Sequence, residues 1–340
     1  MIVLGIETSC DETAAALVAD GEEILANVVA SQADLHGRFG GVVPEIASRA
    51  HLERLLPVLT SALKEAHLSL DAIDAIAVTS RPGLVGALLV GLSAAKMLAW
   101  ALNRPIVGVN HLEAHIIAAL LEKEAKFPLV ALVASGGHTS LFLSTSFTQH
   151  RLIGQTTDDA AGEAFDKVAG ILGLGYLGGP LVEKAARGGN PKALDFPRSL
   201  LAEDSLNFSF SGVKTAVLYH LSGQDASKPP KKLPSRELAD VAASFQEAVV
   251  DVLVEKLLRA AHREKVLSLA LGGGVAANKT LREKVSQAAD SEGFTFYTPP
   301  LNLCTDNAVM VAALGYHKLK KGLADDLTLD AYPRASELVA

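Results

Sequence analysis

The sequence has few cysteines, no basic segment at its N-terminus and no uninterrupted long apolar run. Its 340 residues include only Cys10 and Cys304, too few for a disulfide framework and consistent with a reducing cytosol. The N-terminus has neither a basic region nor a cleavage-type site, so we predict no signal peptide. Glycines, a serine and a lysine interrupt the longest apolar run, residues 84–102, which predicts a buried helix rather than a membrane span. We therefore expect a cytoplasmic protein with no membrane partner.

Positive charge is also scarce. There are 31 lysines and arginines against 38 aspartates and glutamates, which gives a formal net charge of −7. Proteins that bind nucleic acids usually carry a basic surface, so charge alone does not predict RNA binding. With 49% hydrophobic and 20% charged residues the chain is expected to fold, and its length suits two packed domains.

Two patterns occur once in each half of the chain. An apolar strand, a short polar turn and a returning strand occupy residues 2–19 and again residues 128–144. An apolar strand, a glycine-containing turn and a helix follow near residues 75–102 and again from residue 266. This repeat predicts a duplicated α/β fold, with two domains flanking a ligand-binding cleft.

The expected domain boundaries follow from this repeat. The first domain spans residues 1–125 and regains a C-terminal helix, residues 306–322. The second domain spans residues 126–325 and contains an insertion at about residues 187–236, which is rich in glycine, proline, serine and lysine.

Two histidines four residues apart suggest a metal site. Asn110 is a suitable N-cap for a helix that begins at His111, and residues four apart lie on one helical face. His111 and His115 can therefore point at one ion. The glutamate of a zinc peptidase motif is absent, because Leu112 follows the first histidine. The alternative is a pair of partly buried histidines held by hydrogen bonds.

Asp306 is the candidate third ligand. It lies at the predicted start of a helix that runs toward Lys320. Two imidazoles and a carboxylate suit iron or zinc and leave coordination positions open for a substrate. An ordinary helix N-cap is the alternative, since aspartate is favoured at that position.

Glycine-rich loops suggest a phosphate site. Residues 135–139 lie between two predicted strands, and residues 272–278 lie between a strand and a helix N-terminus. Glycine lets backbone N–H groups approach an anion, and a helix N-terminus favours negative charge. Neither loop is a Walker A or dinucleotide-binding motif, and tight turns alone would also explain the glycines.

A third group of polar residues is acidic. Asp159, Glu163 and Asp166 are predicted to lie near one face of a helix. Such a group is also expected on an ordinary solvated helix, so the pattern alone does not assign a function.

Several longer motifs together resemble one known family. Residues 5–13, 80–84 and 207–215, with the histidine pair and Asp306, resemble the universal tRNA threonylcarbamoyladenosine transferase subunit. This family is called TsaD in bacteria and was once labelled a glycoprotease. The resemblance spans nearly the whole chain. It implies the fold of the actin, sugar-kinase and Hsp70 superfamily, with a nucleotide-binding cleft between the domains.

The resemblance also implies roles for individual residues. The metal ligands would be His111, His115 and Asp306, with one Fe²⁺ per subunit and Zn²⁺ as the alternative. Asp11, Glu12 and His138 lie on the two hairpin turns and would be candidates for proton handling. The substrate-binding positions would be Val133, Ala134, Ser135, Gly136, Gly137, Asp166, Gly179, Glu183 and Asn278.

The implied reaction joins threonylcarbamoyl-adenylate to N6 of adenosine 37 in tRNAs that read codons beginning with A, and releases AMP. An adenine nucleotide is the alternative ligand. The implied partners are tRNA, a catalytically inert paralogue (TsaB) and a P-loop ATPase (TsaE). A TsaC-type synthase would supply the adenylate.

Three other functions stay open on sequence grounds. An ATP-dependent small-molecule kinase of the same superfamily would not need His111 and His115. A non-catalytic nucleotide-binding scaffold would tolerate substitution of His115 or Asp306. A peptidase is the remaining alternative, but the sequence lacks both a zincin motif and a plausible Ser–His–Asp arrangement.

Overall fold

The computed structural model describes residues 1–122, 124–201, 204–223 and 230–334. The chain forms two compact units. Unit 1 comprises Met1–Glu124 and Pro299–Ala340, and unit 2 comprises Ala125–Thr298. The functional boundaries of the domains, and a cleft between them, stay predictions.

The described residues contain ten strands in two five-stranded sheets, together with ten α-helices. The strands are β1 (Ile2–Glu7), β2 (Glu12–Ala19), β3 (Glu23–Ser31), β4 (Ala75–Arg81), β5 (Ile106–Asn110), β6 (Leu129–Ala134), β7 (Thr139–Ser146), β8 (Gln149–Gln155), β9 (Ser268–Gly272) and β10 (Thr295–Tyr297). The helices are α1 (Ala33–His36), α2 (Pro44–Glu65), α3 (Val85–Leu102), α4 (His111–Ala118), α5 (Ala161–Ile171), α6 (Gly178–Ala186), α7 (Ser211–Ser222), α8 (Ser235–Glu264), α9 (Lys279–Glu292) and α10 (Ala308–Lys320).

The two sheets have the same strand order. Unit 1 has β3-β2-β1-β4-β5, and unit 2 has β8-β7-β6-β9-β10. In each sheet the first three strands of the sequence are antiparallel neighbours. The last two strands then add in parallel beside the first. This order confirms the predicted duplicated α/β fold.

Helix α10 packs on β1 within unit 1. A Cβ atom at Gly5 would lie 2.2 Å from the carbonyl oxygen of Ala308 and 2.8 Å from the nitrogen of Ala312. Only glycine permits this approach of the two backbones. The approach places the start of α10, and with it the segment that contains Asp306, beside the first strand.

Helix α3 is long and apolar enough to cross a membrane by length and composition alone. In the structure it packs against β4 and α2. Leu92, Ala95 and Leu98 on its inner face are buried in the apolar core of unit 1, together with side chains of β1 and α2. Such burial is typical of the core helix of a folded domain.

The predicted insertion, residues 187–236, lies in unit 2 and contains α7. Phe208 pairs with Thr156 in an isolated bridge. The buried Nζ of Lys256, on α8, donates to the carbonyl oxygens of Leu200 and Ser205 at 3.0 and 2.7 Å. These bonds attach the segment to its unit. Residues 202–203 and 224–229 of the insertion lie outside the described residues.

Candidate functional site

Three side chains of unit 1 bring their donor atoms to one place. Both imidazoles lie on α4, one helical turn apart, with ring centroids separated by 4.6 Å. Oδ1 of Asp306 lies 3.4 Å from Nε2 of His111 and 3.2 Å from Nε2 of His115. The three residues can offer ligand atoms within 4.8 Å of one another, and both histidines are buried. The spacing of four residues therefore places both imidazoles on one side of α4.

Asparagine side chains cap the two helices that start at this place. Oδ1 of Asn110 accepts a hydrogen bond from the N–H of Leu112 at 2.9 Å. At α10 the cap is Asn307, whose Oδ1 accepts from the N–H of Met310 at 3.1 Å. Asp306 therefore does not cap α10, although its position in the sequence would allow that role. Its carboxylate faces the two imidazoles instead.

Behind His111 lies a buried carboxylate that the sequence analysis did not assign. Oε2 of Glu7, at the end of β1, lies 3.0 Å from Nδ1 of His111. Glu7 also accepts hydrogen bonds from Oγ1 of Thr79 at 2.6 Å and from the N–H of Ser9 at 2.5 Å. An ionised carboxylate only accepts, so Nδ1 of His111 carries the proton and Nε2 faces Asp306. The sequence distinguishes Glu7 only as a charged residue at the end of an otherwise apolar strand.

Without a metal, the charges of this cluster compensate one another. Burial lowers the pKa of His111, but the carboxylates of Asp306 and Glu7 outweigh burial and hold that pKa well above its ordinary value. Burial alone would raise the pKa of Glu7 and of Asp306, yet His111 holds both pKa values below their usual range. For His115 burial dominates and lowers the pKa, so this imidazole is neutral.

The donor set fits a divalent metal ion. Protonated His111 presents its Nε2 proton to Asp306, and a metal ion bound by the same two atoms would replace that proton. Nδ1 of His115 is buried and has no hydrogen-bond partner in the described part of the chain. It can hold the ring proton while Nε2 binds the ion. Iron and zinc both accept two imidazoles and one carboxylate, and positions stay open for a further ligand.

Asp11 lies in the turn between β1 and β2, also in unit 1, and Glu12 is the first residue of β2. Both residues are partly buried. Burial, together with the charges of Asp306 and Asp11, raises the pKa of Glu12 to about 10. His138 lies on the corresponding turn of unit 2, where its N–H donates to Oγ of Ser135 at 3.2 Å. The three candidates for proton handling thus lie on or directly beside equivalent turns of different units.

In unit 2 the glycine loop follows directly on β6. Val133 and Ala134 are buried at the end of the strand, and Ser135 is buried after them. Gly136 and Gly137 are exposed, and a Cβ atom at either would meet nothing within 4 Å. The backbone of the loop is therefore open on one side, as an anion-binding loop requires.

Two other backbone segments lie against this loop. Gly162, in the first turn of α5, donates its N–H to the carbonyl oxygen of Ser135 at 3.1 Å. A Cβ atom at Gly162 would lie 2.5 Å from that oxygen. Gly273, with φ of +87°, approaches so closely that its Cβ would lie 2.3 Å from the carbonyl oxygen of Ala134. The loop therefore adjoins a helix N-terminus, which favours bound anions.

Asn278 caps α9 and is itself held by α8. Its Oδ1 accepts from the N–H of Leu281 at 3.0 Å, and its Nδ2 donates to Oε1 of Gln246 at 2.9 Å. Gln246 in turn donates to Oγ1 of Thr280 at 3.0 Å. These bonds fix the orientation of the Asn278 amide. Sequence reasoning missed Gln246, which lies in the middle of a long helix with no local sign of its partner.

The remaining predicted substrate positions lie on α5 and α6. Oδ1 of Asp166 accepts from the N–H of Gly178 at 2.7 Å and so holds the start of α6. Gly179 has open space where a Cβ atom would be. Oε1 of Glu183 accepts from the N–H of Lys279 at 2.9 Å. All of these positions belong to unit 2 and lie around the starts of α6 and α9.

The predicted acidic helix face is wrong in one respect. Helix α5 begins at Ala161, so Asp159 precedes it. The carboxylate of Asp159 binds Nζ of Lys167 and of Lys214 at 2.6 and 2.7 Å. Glu163 also binds Lys167, at 2.8 Å. Lysines therefore neutralise much of the acidic charge at the start of α5.

The repeated strand order gives the chain a duplicated α/β fold of the actin, sugar-kinase and Hsp70 type. A solved structure with this fold is (R)-2-hydroxyglutaryl-CoA dehydratase component A of Acidaminococcus fermentans, with a TM-score of 0.56. The two chains are 16% identical, and the match covers 94% of this chain and 99% of the other. At that identity the likeness concerns the fold alone.

Sequence comparison then gives the family. The model of the TsaD family, tRNA N6-adenosine threonylcarbamoyltransferase, matches residues 23–313. A relative of that name from Symbiobacterium thermophilum is 54% identical over 333 residues, covering 98% of this chain and 96% of the relative. Another of that name, from Syntrophotalea carbinolica, is 51% identical over 331 residues, covering 97% and 95%. The chain belongs to the TsaD family, which confirms the resemblance found in its motifs.

Proposed function

We propose that this chain is a tRNA N6-adenosine threonylcarbamoyltransferase. It transfers the threonylcarbamoyl group of threonylcarbamoyl-adenylate to N6 of adenosine 37 in tRNAs that read codons beginning with A. Beyond family membership, the observation that carries the proposal is the convergence of His111, His115 and Asp306 within 4.8 Å. A small-molecule kinase of the same fold does not need such a set of ligands.

In this proposal unit 2 binds the adenylate. The exposed glycine loop supports this role, because its backbone is open to the approach of a phosphate at Gly136 and Gly137 and it adjoins the N-terminus of α5. The carboxylates of Asp166 and Glu183 can accept hydrogen bonds from ribose hydroxyls. The proposed contacts are Val133, Ala134, Ser135, Gly136, Gly137, Asp166, Gly179, Glu183 and Asn278.

His111, His115 and Asp306 would hold one metal ion, Fe²⁺ in the first instance and Zn²⁺ as the alternative. When bound, the metal supplies a Lewis acid that stabilises negative charge on the carbamoyl oxygen. Glu7 keeps the proton of His111 on Nδ1, so Nε2 is available as a ligand. Asn307 takes the capping role at α10 and leaves the Asp306 carboxylate for the metal.

The reaction is a substitution at the carbamoyl carbon. The exocyclic amine of the adenine forms the new C–N bond, the C–O bond to the adenylate phosphate breaks, and AMP leaves with the electron pair. The amine loses one proton, and Asp11, Glu12 and His138 are the candidates for proton handling. With a pKa of about 10, Glu12 is protonated at neutral pH and can donate a proton rather than accept one. Because AMP is a good leaving group, the site does not need a strong general base.

We also propose that the protein works in the cytoplasm with other proteins. Its partners would be tRNA, the inert paralogue TsaB and the P-loop ATPase TsaE, with a TsaC-type synthase supplying the adenylate. Apolar side chains on α2 and α3 support a protein partner: Leu52, Leu56, Met97 and Trp100 are 67, 72, 55 and 75% exposed. The net charge of −7 suits this arrangement, because partners would supply part of the basic surface for tRNA.

A reconstituted assay tests the proposed function. It combines unmodified tRNA, threonylcarbamoyl-adenylate, metal and this chain, with and without the partners, and detects threonylcarbamoyl-adenosine by mass spectrometry. We expect product from the wild type and a loss of about 100-fold or more, together with loss of bound metal, in His115→Ala and Asp306→Ala. His262→Ala, which removes a surface histidine of unit 2, is the matched control and should keep both. No product with every component present would refute the proposal.

A further inference from the structure

A buried histidine of α2 holds the turn between β1 and β2. His51 has no exposed surface. Its Nε2 lies 2.9 Å from the carbonyl oxygen of Cys10, and its Nδ1 lies 2.8 Å from Oγ1 of Thr13. A carbonyl oxygen only accepts, so Nε2 carries the ring proton and Nδ1 accepts from the Thr13 hydroxyl. Both ring nitrogens of His51 thus form hydrogen bonds to one short segment, residues 10–13.

The same turn is held at a second point. The N–H of Gln32 donates to the carbonyl oxygen of Asp11 at 2.9 Å. Gln32 is buried, and its side chain bonds to Nε2 of His36 at 3.1 Å and to the carbonyl oxygen of Ala47 at 3.3 Å. The carbonyl groups of Cys10 and Asp11 are therefore both fixed by the segment that contains α1 and α2.

On its other side the turn contacts the candidate metal centre. Oγ of Ser9 lies 3.2 Å from Nδ1 of His111, and the N–H of Ser9 donates to Glu7. Asp11 and Glu12, two of the candidates for proton handling, follow directly in the chain. A shift of the turn would therefore move groups that adjoin the candidate ligands, and displacements of about 1 Å can cost about 100-fold in rate.

We propose that His51 is a positioning residue for the transfer reaction: by holding the Cys10 carbonyl, it fixes Ser9 beside His111 and sets the direction of Asp11 and Glu12. This inference rests on the proposed function. Burial lowers the pKa of His51, which agrees with the neutral ring that its two hydrogen bonds require. An apolar residue at this place would leave a carbonyl group without its donor, which is costly in a buried turn.

Two substitutions of His51 distinguish the role of its Nε2–H donor from the role of the rest of the ring. His51→Gln can place an amide N–H near the position of Nε2, whereas the side chain of His51→Asn is too short to reach Cys10. We expect kcat to fall about tenfold or more in His51→Asn and to stay near wild type in His51→Gln. The KM for the adenylate should stay within about twofold in both, because the proposed adenylate contacts lie in unit 2. Bound metal should be retained in both variants.

Cysteine labelling reports on the turn without any activity. Cys10 lies in the turn, and the only other cysteine, Cys304, is buried. A loosened turn should let a thiol reagent such as DTNB modify Cys10 about tenfold faster in His51→Asn than in the wild type or His51→Gln. Thr13→Val keeps the ring but removes the hydroxyl that fixes its tautomer. It should show a smaller change of the same kind, and it provides the test if His51→Asn does not fold.

His150 offers a matched control in unit 2. Its Nδ1 lies 2.8 Å from Oγ of Ser144, and its Nε2 lies 3.1 Å from the carbonyl oxygen of Phe147, the same two kinds of partner. His150→Asn should change neither kcat nor the labelling of Cys10.

Wild-type kcat and labelling in His51→Asn would overturn the inference, and so would equal losses in His51→Asn and His51→Gln. If the wild type makes no product, the proposed function fails, while the labelling contrast still decides whether His51 holds the turn.

Discussion

The two units share a strand order but carry different polar residues where their strands end. In unit 1 the turn after β1 is rich in carboxylates, and the candidate metal ligands follow β5 and precede α10. In unit 2 the equivalent turn, after β6, carries Gly136 and Gly137, and a second glycine turn follows β9. The polar groups at the strand ends of unit 1 suit a cation, and the glycine turns at the strand ends of unit 2 suit an anion. Topology thus decides where polar groups gather, and a few residues decide what they bind.

Each unit also has a close backbone contact that only glycine permits, and each contact lies beside the site of its own unit. Gly5 lets α10 pack on β1 and so supports the side of unit 1 that carries Asp306. Gly273 combines a positive φ with a close approach to Ala134 and so brings the turn after β9 to the glycine loop. Substitutions that act on one unit alone can therefore test whether the two kinds of site are separable.

The largest effect is expected from Gly273→Ala. Its Cβ would lie 2.3 Å from a carbonyl oxygen at a positive φ, so unfolding of unit 2 should become easier by about 3 kcal/mol or more. Binding of an adenylate analogue, followed by calorimetry, should be lost, while metal bound by unit 1 should remain. Gly136→Ala has open space and should melt at the wild-type temperature. Wild-type adenylate affinity in Gly273→Ala would contradict the role of this contact.

A smaller effect, confined to unit 1, is expected from Glu7→Gln. The neutral amide no longer holds the proton of His111 on Nδ1 by charge, so metal affinity should fall about 10- to 100-fold. Competition with a chelator measures this, and the affinity for the adenylate analogue should not change. Thr79→Val removes only one hydrogen bond to Glu7 and should weaken metal binding less. Unchanged metal affinity in Glu7→Gln would show that Glu7 does not support the site.

The smallest effects are expected at the helix caps, one in each unit. Asn110→Ala and Asn278→Ala should each lower the free energy of unfolding by about 1 kcal/mol. Their functional effects should differ: the first should weaken metal binding, and the second should raise the KM for the adenylate. Asn278→Asp keeps the cap acceptor but loses the donor to Gln246, so it should restore stability without restoring KM. Equal functional effects of the two alanine variants would contradict the separation of the units.

Local patterns made the fold predictable. The hairpin predicted over residues 2–19 is present as β1 and β2, and the helix predicted after Asn278 begins at Lys279. The histidine spacing likewise placed both imidazoles on one face, since four residues make about one helical turn. These predictions needed only periodicity, glycine positions and cap residues.

Long-range pairs could not be predicted in this way. Glu7 and His111 are 104 residues apart, and the sequence around Glu7 does not identify the residue that its carboxylate contacts. The choice between Asp306 and Asn307 as the cap of α10 also depends on packing, because both residue types are good caps. The spacing of Asp159 to Glu163 predicts a helix at both residues, whereas Asp159 lies in the segment before α5 and binds two lysines there.

The separation of His115 and Asp306 has a consequence for synthesis of the protein. They are 191 residues apart, and all of unit 2 is translated between them. A chain emerging from the ribosome folds from its N-terminal side, so both imidazoles exist long before the carboxylate and α10. A partly translated chain cannot offer three ligands to one ion. Capture of the metal, and with it the proposed activity, would therefore be withheld until unit 2, Asp306 and α10 have all been synthesised.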